Sequence, residues 1–292
     1  MIGIIIHILP QEIDQLEQTL IQLKRNSKYI SNDDFLVEVV LNNNLTDWNK
    51  SKLDKDFFTS KLKYLETLTQ SWAKTDFWVS NNNESIGCTD PRRLCSTKYD
   101  ADAFIWLDAD IIFSDTLLYH IVESFNLLKE NEPNLIITPE TTRLWDITWD
   151  VITNEELLLE EIASHKNYFD RDPYLSTGLV GETGLRKIDS FKFGGGWFTL
   201  ISKELLNKIP IPDKMGPYYL DDTFIMTCCI EGKKKGFNAS QYVISNEIIM
   251  ENNKFRYNPY KEYLTSINRK DEFVQTAKDN FSPSVNDFIN TL

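Results

Sequence analysis

Asp-x-Asp spacing occurs four times in this chain, at Asp54/Asp56, Asp100/Asp102, Asp108/Asp110 and Asp170/Asp172. The third copy differs in its context. It follows the apolar stretch 103–107 (AFIWL) and is followed in turn by Ile111-Ile112-Phe113, so it stands at the C-terminal end of a strand, where open α/β sheets bind their ligands. One carboxylate on a strand end and one on the turn after it converge on a single hard cation. Oxygen donors of this kind suit Mg²⁺ or Mn²⁺ bridging a diphosphate. The other three copies read as solvated acids. A second acidic pair, Asp221/Asp222, opens a helical stretch; acids there cap free N–H groups and favour the positive end of the helix dipole, as Lys233, Lys234 and Lys235 complement the other end.

Positioning these residues takes alternating strands and helices. Residues 2–9 are β-branched and continuous, as in a strand buried on both faces of a parallel sheet. Residues 11–25 carry Ile13, Leu16, Leu20, Ile21 and Leu23 at helical spacing, and 35–41 (FLVEVVL) reads as the next strand, ending in Asn42-Asn43-Asn44. This is a βαβ unit with a right-handed crossover. A partly helical stretch over 50–75, a short strand at 76–80 and a helix with Pro91 in its first turn follow. Beyond the strand at 103–107, a helix over 116–129 and a strand at 135–138 complete an α/β pattern with a mainly parallel sheet flanked by helices. Residues 140–184, with Trp145, Trp149 and an acidic helix near Glu155–Glu161, break the rhythm and are expected to be an insertion. After them come a glycine turn and strand over 192–201, a helix at 203–208, a helix from Asp221 that stops at Gly232 or Gly236, a last strand at 241–244, and a polar, loosely held end.

The chain has 292 residues, 31 Lys+Arg against 44 Asp+Glu, a formal charge of −13 and 41% hydrophobic positions. A core of ordinary size needs no staples at this length. The acidic balance argues against general nucleic-acid binding, whose affinity comes from Lys and Arg on phosphates. Apolar runs fall well short of the roughly 20 residues of a transmembrane segment. The opening MIGIIIHILPQEID has no basic stretch or small-residue cleavage site and is expected to be a first strand of a cytoplasmic protein. Cys88, Cys95, Cys228 and Cys229 have no Cys-x-x-Cys spacing, which argues against zinc and for a reducing compartment.

Taken together, FIWLDADIIF, with Arg92 and Arg93 on the preceding helix, then FGGGWFTLISKELLNKIP and GPYYLDDTFIMTCCIEGKKKGF, resemble in order and separation the segments of GT-A fold glycosyltransferases, in particular the inverting glycosyltransferase family 2. The resemblance covers residues 1–245, with 246–292 as a helical extension packed on the same domain. It implies a Rossmann-like GT-A sheet with an acceptor-side insertion, and transfer of a sugar from a UDP- or GDP-sugar donor to the hydroxyl of a glycan, lipid-linked or protein acceptor. Asp108 and Asp110 would hold Mn²⁺ or Mg²⁺ on the donor diphosphate. Asp222 would be the general base that takes the acceptor proton and Asp221 its orienting partner. Gly195, within Gly194-Gly195-Gly196, would let backbone approach a sugar, and Trp197 would offer a sugar an apolar face. Asn42, Asn44 and His7 fall at the nucleoside end, and Arg92 or Arg93 would reach the diphosphate.

The chain departs from the family in its histidines. His7, His120 and His165 are the whole set, and none follows the last core strand, where the family supplies a metal ligand. Asn246, Glu247 or Glu251 would substitute as oxygen donors, or two aspartates, the diphosphate and water would suffice. A retaining glycosyltransferase, a sugar-nucleotidyltransferase and a catalytically inactive GT-A binding protein are the alternatives.

Overall fold

The structure is a computed structural model and describes residues 1–8, 10–42, 54–80, 89–109, 111–141, 184–188, 198–213, 221–251 and 270–292. The first βαβ unit is β1 (Ile2–Ile8), α1 (Ile13–Ser27) and β2 (Phe35–Asn42). It continues through α2 (Lys55–Gln70), β3 (Lys74–Ser80), α3 (Thr89–Lys98) and β4 (Ala103–Asp108). The short β5 (Ile111–Ile112), α4 (Leu117–Leu128), β6 (Leu135–Thr141) and β7 (Leu185–Ile188) come next. The chain ends with β8 (Phe198–Ser202), α5 (Lys203–Lys208), α6 (Asp221–Lys233), β9 (Ser240–Glu251) and α7 (Lys270–Thr291).

The strands form one sheet in the order β3-β2-β1-β4-β8-β6-β9-β5, with β7 on the flank of β9. β1, β2, β3, β4, β6 and β9 point one way, and β5, β7 and β8 oppose them. The sheet is therefore mainly parallel, as the alternation of elements requires. Side chains leave a strand on alternate faces. Ile2, Ile4, Ile6 and Ile8 of β1 join Val37, Val39, Ile105 and Leu107 in one core under α1, α2 and α4. Ile5 joins Val40, Phe104, Trp106 and Ile201 in a second core under α3, α5, α6 and α7. Gly3 lies on that second face against the Phe104 ring, where an added Cβ would come within 2.8 Å of a ring carbon.

Three expectations change. β9 runs on to Glu251, seven residues past the strand expected at 241–244 and across the expected domain boundary after residue 245. The chain end is held, because Val285 and Phe288 of α7 are buried and Phe288 meets Phe237 edge-on at 5.4 Å. β7 pairs antiparallel with β9, a strand that the pattern did not foretell. The acidic helix and tryptophans expected over 140–184 fall outside the described residues.

Candidate functional site

Asp108 ends β4 at the edge where the parallel strands finish. Trp106 lies two residues earlier, hence on the same face, and α3 packs over both. Arg92 of α3 is 3% exposed. Its guanidinium carbon sits 5.2 Å from the centroid of the Trp106 ring, and its Nη2 donates to Asp108 Oδ1 at 2.9 Å. A guanidinium withdrawn from water requires such partners, because an unpaired buried charge is far more costly than a paired one. The Asp108 side chain keeps 28% of its surface in solvent, so the pair faces the sheet edge. His7 is the register partner of Asp108 across β1 and β4, which puts both on that face. Arg93 turns away and pairs with Asp213 at 2.7 Å.

The same helix is tied to the sheet one and two turns further on. Lys98 Nζ donates to Asp76 at 2.6 Å and to the buried Glu38 at 3.3 Å, the Tyr99 hydroxyl donates to Asp76 at 2.7 Å, and the Trp78 indole N–H donates to Glu38. The hydrogen bond from Lys98 holds the Asp76 carboxyl below the usual aspartate range. Burial, and then the neighbouring Glu38 charge, push the Cys95 thiol up, so it is no nucleophile at neutral pH. Burial likewise pushes Cys228 up to about 12. These ties fix α3, and α3 fixes Arg92.

α6 and α7 run side by side in one direction: Phe224, in the first turn of α6, meets Phe281 in the middle of α7 edge-on at 6.1 Å, and Phe237, just past the end of α6, meets Phe288 further along α7 at 5.4 Å. β9 begins where β6 does, its Ser240 N–H bonded to Asn134 O at 3.0 Å. The C-terminal end of α6 therefore lies at the edge where strands start. Its 13 residues span about 20 Å, the length of a six-residue strand. α6 is thus long enough to reach from there to the edge that carries Asp108. Asn42, the last residue of β2, is opposite Ser80 at that edge too. Phe198, which begins β8, pairs with Leu107. Asn44, Asp110, Gly195 and Trp197 lie outside the described residues, as do the side chains of Asn42, Asp221 and Asp222.

No family model and no curated protein matches this chain. Its likeness is to solved structures. It is similar to Staphylococcus aureus TarS 1–349, with a TM-score of 0.50 and 11% identity over 94% of this chain and 69% of that one. It is also similar to GalNAc-T7 with UDP, GalNAc and Mn²⁺, with a TM-score of 0.51 and 10% identity over 86% of this chain and 43% of that one. The chain adopts the GT-A fold. At such identities the likeness is one of fold, and the chain spans less than half the length of the GalNAc-T7 chain.

In this GT-A sheet, the segment that leaves β4 is held in a way that the sequence reading missed. Apart from the two-residue β5, the described residues between β4 and α4 form no regular structure, yet their buried backbone groups must be satisfied. A polar stripe on α1 does this. Thr19 Oγ1 donates to Ala109 O at 2.5 Å, Gln22 Oε1 accepts from Phe113 N at 2.9 Å, and Gln22 Nε2 donates to Ile111 O at 3.3 Å. Asn26 donates to Ser114 O at 2.8 Å and accepts from Leu118 N at 2.9 Å. The only sequence signal is polar residues at i, i+3 and i+7 on a helix, a pattern identical to a solvated face.

Glu247 corrects a second expectation. β6 advances one residue from Pro139 to Glu140 while β9 advances four from Ile244 to Ile248, so Ser245, Asn246 and Glu247 bulge from the ladder. The Glu247 carboxylate points inward, fully buried, and accepts from Ser114 Oγ, from Thr116 Oγ1 at 2.6 Å and from His120 Nδ1 at 2.6 Å. It is committed to the interior and does not face the turn as a cation ligand. The backbone of Glu251 does approach that turn, because its register partner is Ile111, the residue after Asp110. Among the described residues no three His, Cys, Asp or Glu side chains converge as a metal cage, and no helix is long and apolar enough to cross a membrane.

Proposed function

We propose that the chain is a nucleotide-sugar glycosyltransferase that moves a sugar from a UDP- or GDP-linked donor to an acceptor hydroxyl, with inversion and with Mn²⁺ or Mg²⁺. The observation that carries this reading is Asp108, partly in solvent at the end of β4 in a GT-A sheet and held by the buried Arg92. A carboxylate fixed at that edge, with Asp110 two residues on, fits a small divalent cation that is bound through one or two carboxylates and substrate phosphates instead of an all-protein cage. The bound cation would supply charge neutralisation on the departing nucleotide diphosphate.

The chain's own groups have separate tasks. Arg92 orients Asp108 and adds positive charge beneath the diphosphate. His7, Asn42 and Asn44 lie at or follow the ends of β1 and β2, on the nucleoside side, while Gly195 and Trp197 precede β8 on the sugar side. Asp222 takes the proton of the acceptor hydroxyl as that oxygen bonds to the anomeric carbon and the bond from this carbon to the diphosphate oxygen breaks. Asp221 orients Asp222 or the acceptor. Displacement from the face opposite the leaving group inverts the anomeric centre.

Thermal unfolding with UDP- and GDP-sugars in the presence of Mn²⁺ tests the donor site. A ligand at about a hundred times its Kd adds about 2.7 kcal/mol, several degrees of Tm for a chain of this size. That shift is expected for one nucleotide and lost in Asp110→Asn; no shift with any nucleotide overturns the reading. Donor hydrolysis is expected to disappear in Asp222→Asn while binding persists. Binding without turnover in the wild type would leave a GT-A binding protein, and a product of retained configuration would remove Asp222 as base.

A further inference from the structure

The three extra residues in β9 have a geometric consequence. Up to Ile244, β9 pairs with β6 in simple register. Past the bulge its last two residues, Met250 and Glu251, pair with Ile112 and Ile111 of β5. A bulge changes which residues oppose each other, and an odd shift exchanges the faces on which side chains leave the strand. Absorbing three residues at 245–247 thus decides which residue of β9 reaches the backbone next to Asp110. The bulge is not loose. Glu247 is fully buried and takes hydrogen bonds from the hydroxyls of Ser114 and Thr116 and from the imidazole of His120, also fully buried. Ser114 and Thr116 belong to the same segment that α1 grips from the other side, and Ser114 is held by both, its carbonyl by Asn26 and its hydroxyl by Glu247.

We infer that Glu247 is a positioning residue for the cation turn. It locks the β9 bulge to residues 114–120, and this sets the β5–β9 register that brings Glu251 beside the Asp108–Asp110 turn. Neither Glu247 nor His120 touches donor or cation. The inference rests on the donor-site reading above and adds to it a residue that acts through backbone register. A carboxylate suits the task because it accepts several hydrogen bonds at once, and three donors from two elements converge on it. Glutamine at this position would turn an amide N–H₂ toward groups that already donate.

Calorimetric titration of Mn²⁺ into protein saturated with UDP or GDP, alongside nucleotide titration without metal, provides the test. Glu247→Gln is expected to raise the Mn²⁺ concentration for half-saturation at least tenfold, with metal-free nucleotide affinity within about twofold of wild type. Thr116→Val, which removes one of the three donors, is the milder second variant and is expected to raise it about threefold. Phe288→Leu, in the core on the opposite face, serves as a variant destabilised without contact to this network. A merely structural role predicts that Glu247→Gln or, should that not fold, Thr116→Val, matches Phe288→Leu with unchanged Mn²⁺ half-saturation, and this result overturns the inference alone. Failure of wild-type protein to bind either nucleotide with Mn²⁺ overturns the donor-site reading and the inference together.

Discussion

Asp108 and Glu247 are both carboxylates in the last part of a strand, each bound to a nitrogen-bearing side chain of a neighbouring helix, and they serve opposite ends. Asp108 meets a guanidinium that is itself buried and leaves part of its own surface to water at the sheet edge. Glu247 is sealed in the interior with an imidazole and two hydroxyls. One arrangement presents charge to something outside the fold, and the other uses charge to hold backbone segments together. Residue type alone separates neither from the other, and exposure does.

The sharpest way to break the comparison is Glu247→Ala. It removes the acceptor of three buried donors, and the loss expected in chemical denaturation is about 3–5 kcal/mol. Asn26→Leu attacks the opposite grip on the same segment. It leaves the Ser114 carbonyl and the Leu118 N–H without that partner, at a cost of about 3 kcal/mol by the same measurement. Asp108→Asn keeps an acceptor for Arg92 but loses its charge, so stability is expected to fall by only about 1–2 kcal/mol. Its effect should appear in binding, as loss of the Mn²⁺-dependent nucleotide shift. If Asp108→Asn instead costs as much stability as Glu247→Ala with nucleotide binding intact, the two carboxylates are alike and the distinction fails.

The smallest effect concerns the tie beneath α3. The Asp76 carboxyl is held below its ordinary range by Lys98. A depressed folded value means that its contribution is complete above the ordinary aspartate range and is lost as pH falls through the depressed value. The pair is partly exposed, so Asp76→Asn is expected to cost less than about 1 kcal/mol near neutral pH. The difference between wild type and variant should stay constant from pH 5 to 8 and close below about pH 4 in pH-dependent denaturation.

Much of the fold was legible because its signals are local. Continuous β-branched runs marked β1 and β2, and the apolar spacing of Ile13, Leu16, Leu20 and Leu23 marked α1. The apolar strand before Asp108 distinguished one acidic spacing from three others. Arg92 and Arg93 looked equivalent in the sequence; helical phase turned one inward to Asp108 and sent the other to Asp213. Thr19, Gln22 and Asn26 carry no mark that separates them from a solvated helix face, because the backbone that they satisfy lies about ninety positions away in the chain. Glu247 looked like an available oxygen ligand because a bulge of three residues leaves no mark in hydropathy.

By itself, the sequence determined the order of most strands and helices, the two-faced burial of the central strands, and the location of Asp108 at a strand end. These follow from the side-chain periods of the two regular structures and from which residues tolerate burial. Only the tertiary structure decided which polar groups face water and which face one another. Burial of a carboxylate or an arginine is permitted where partners from distant segments converge on it, and that convergence is a property of packing and register, which no local stretch of the chain encodes.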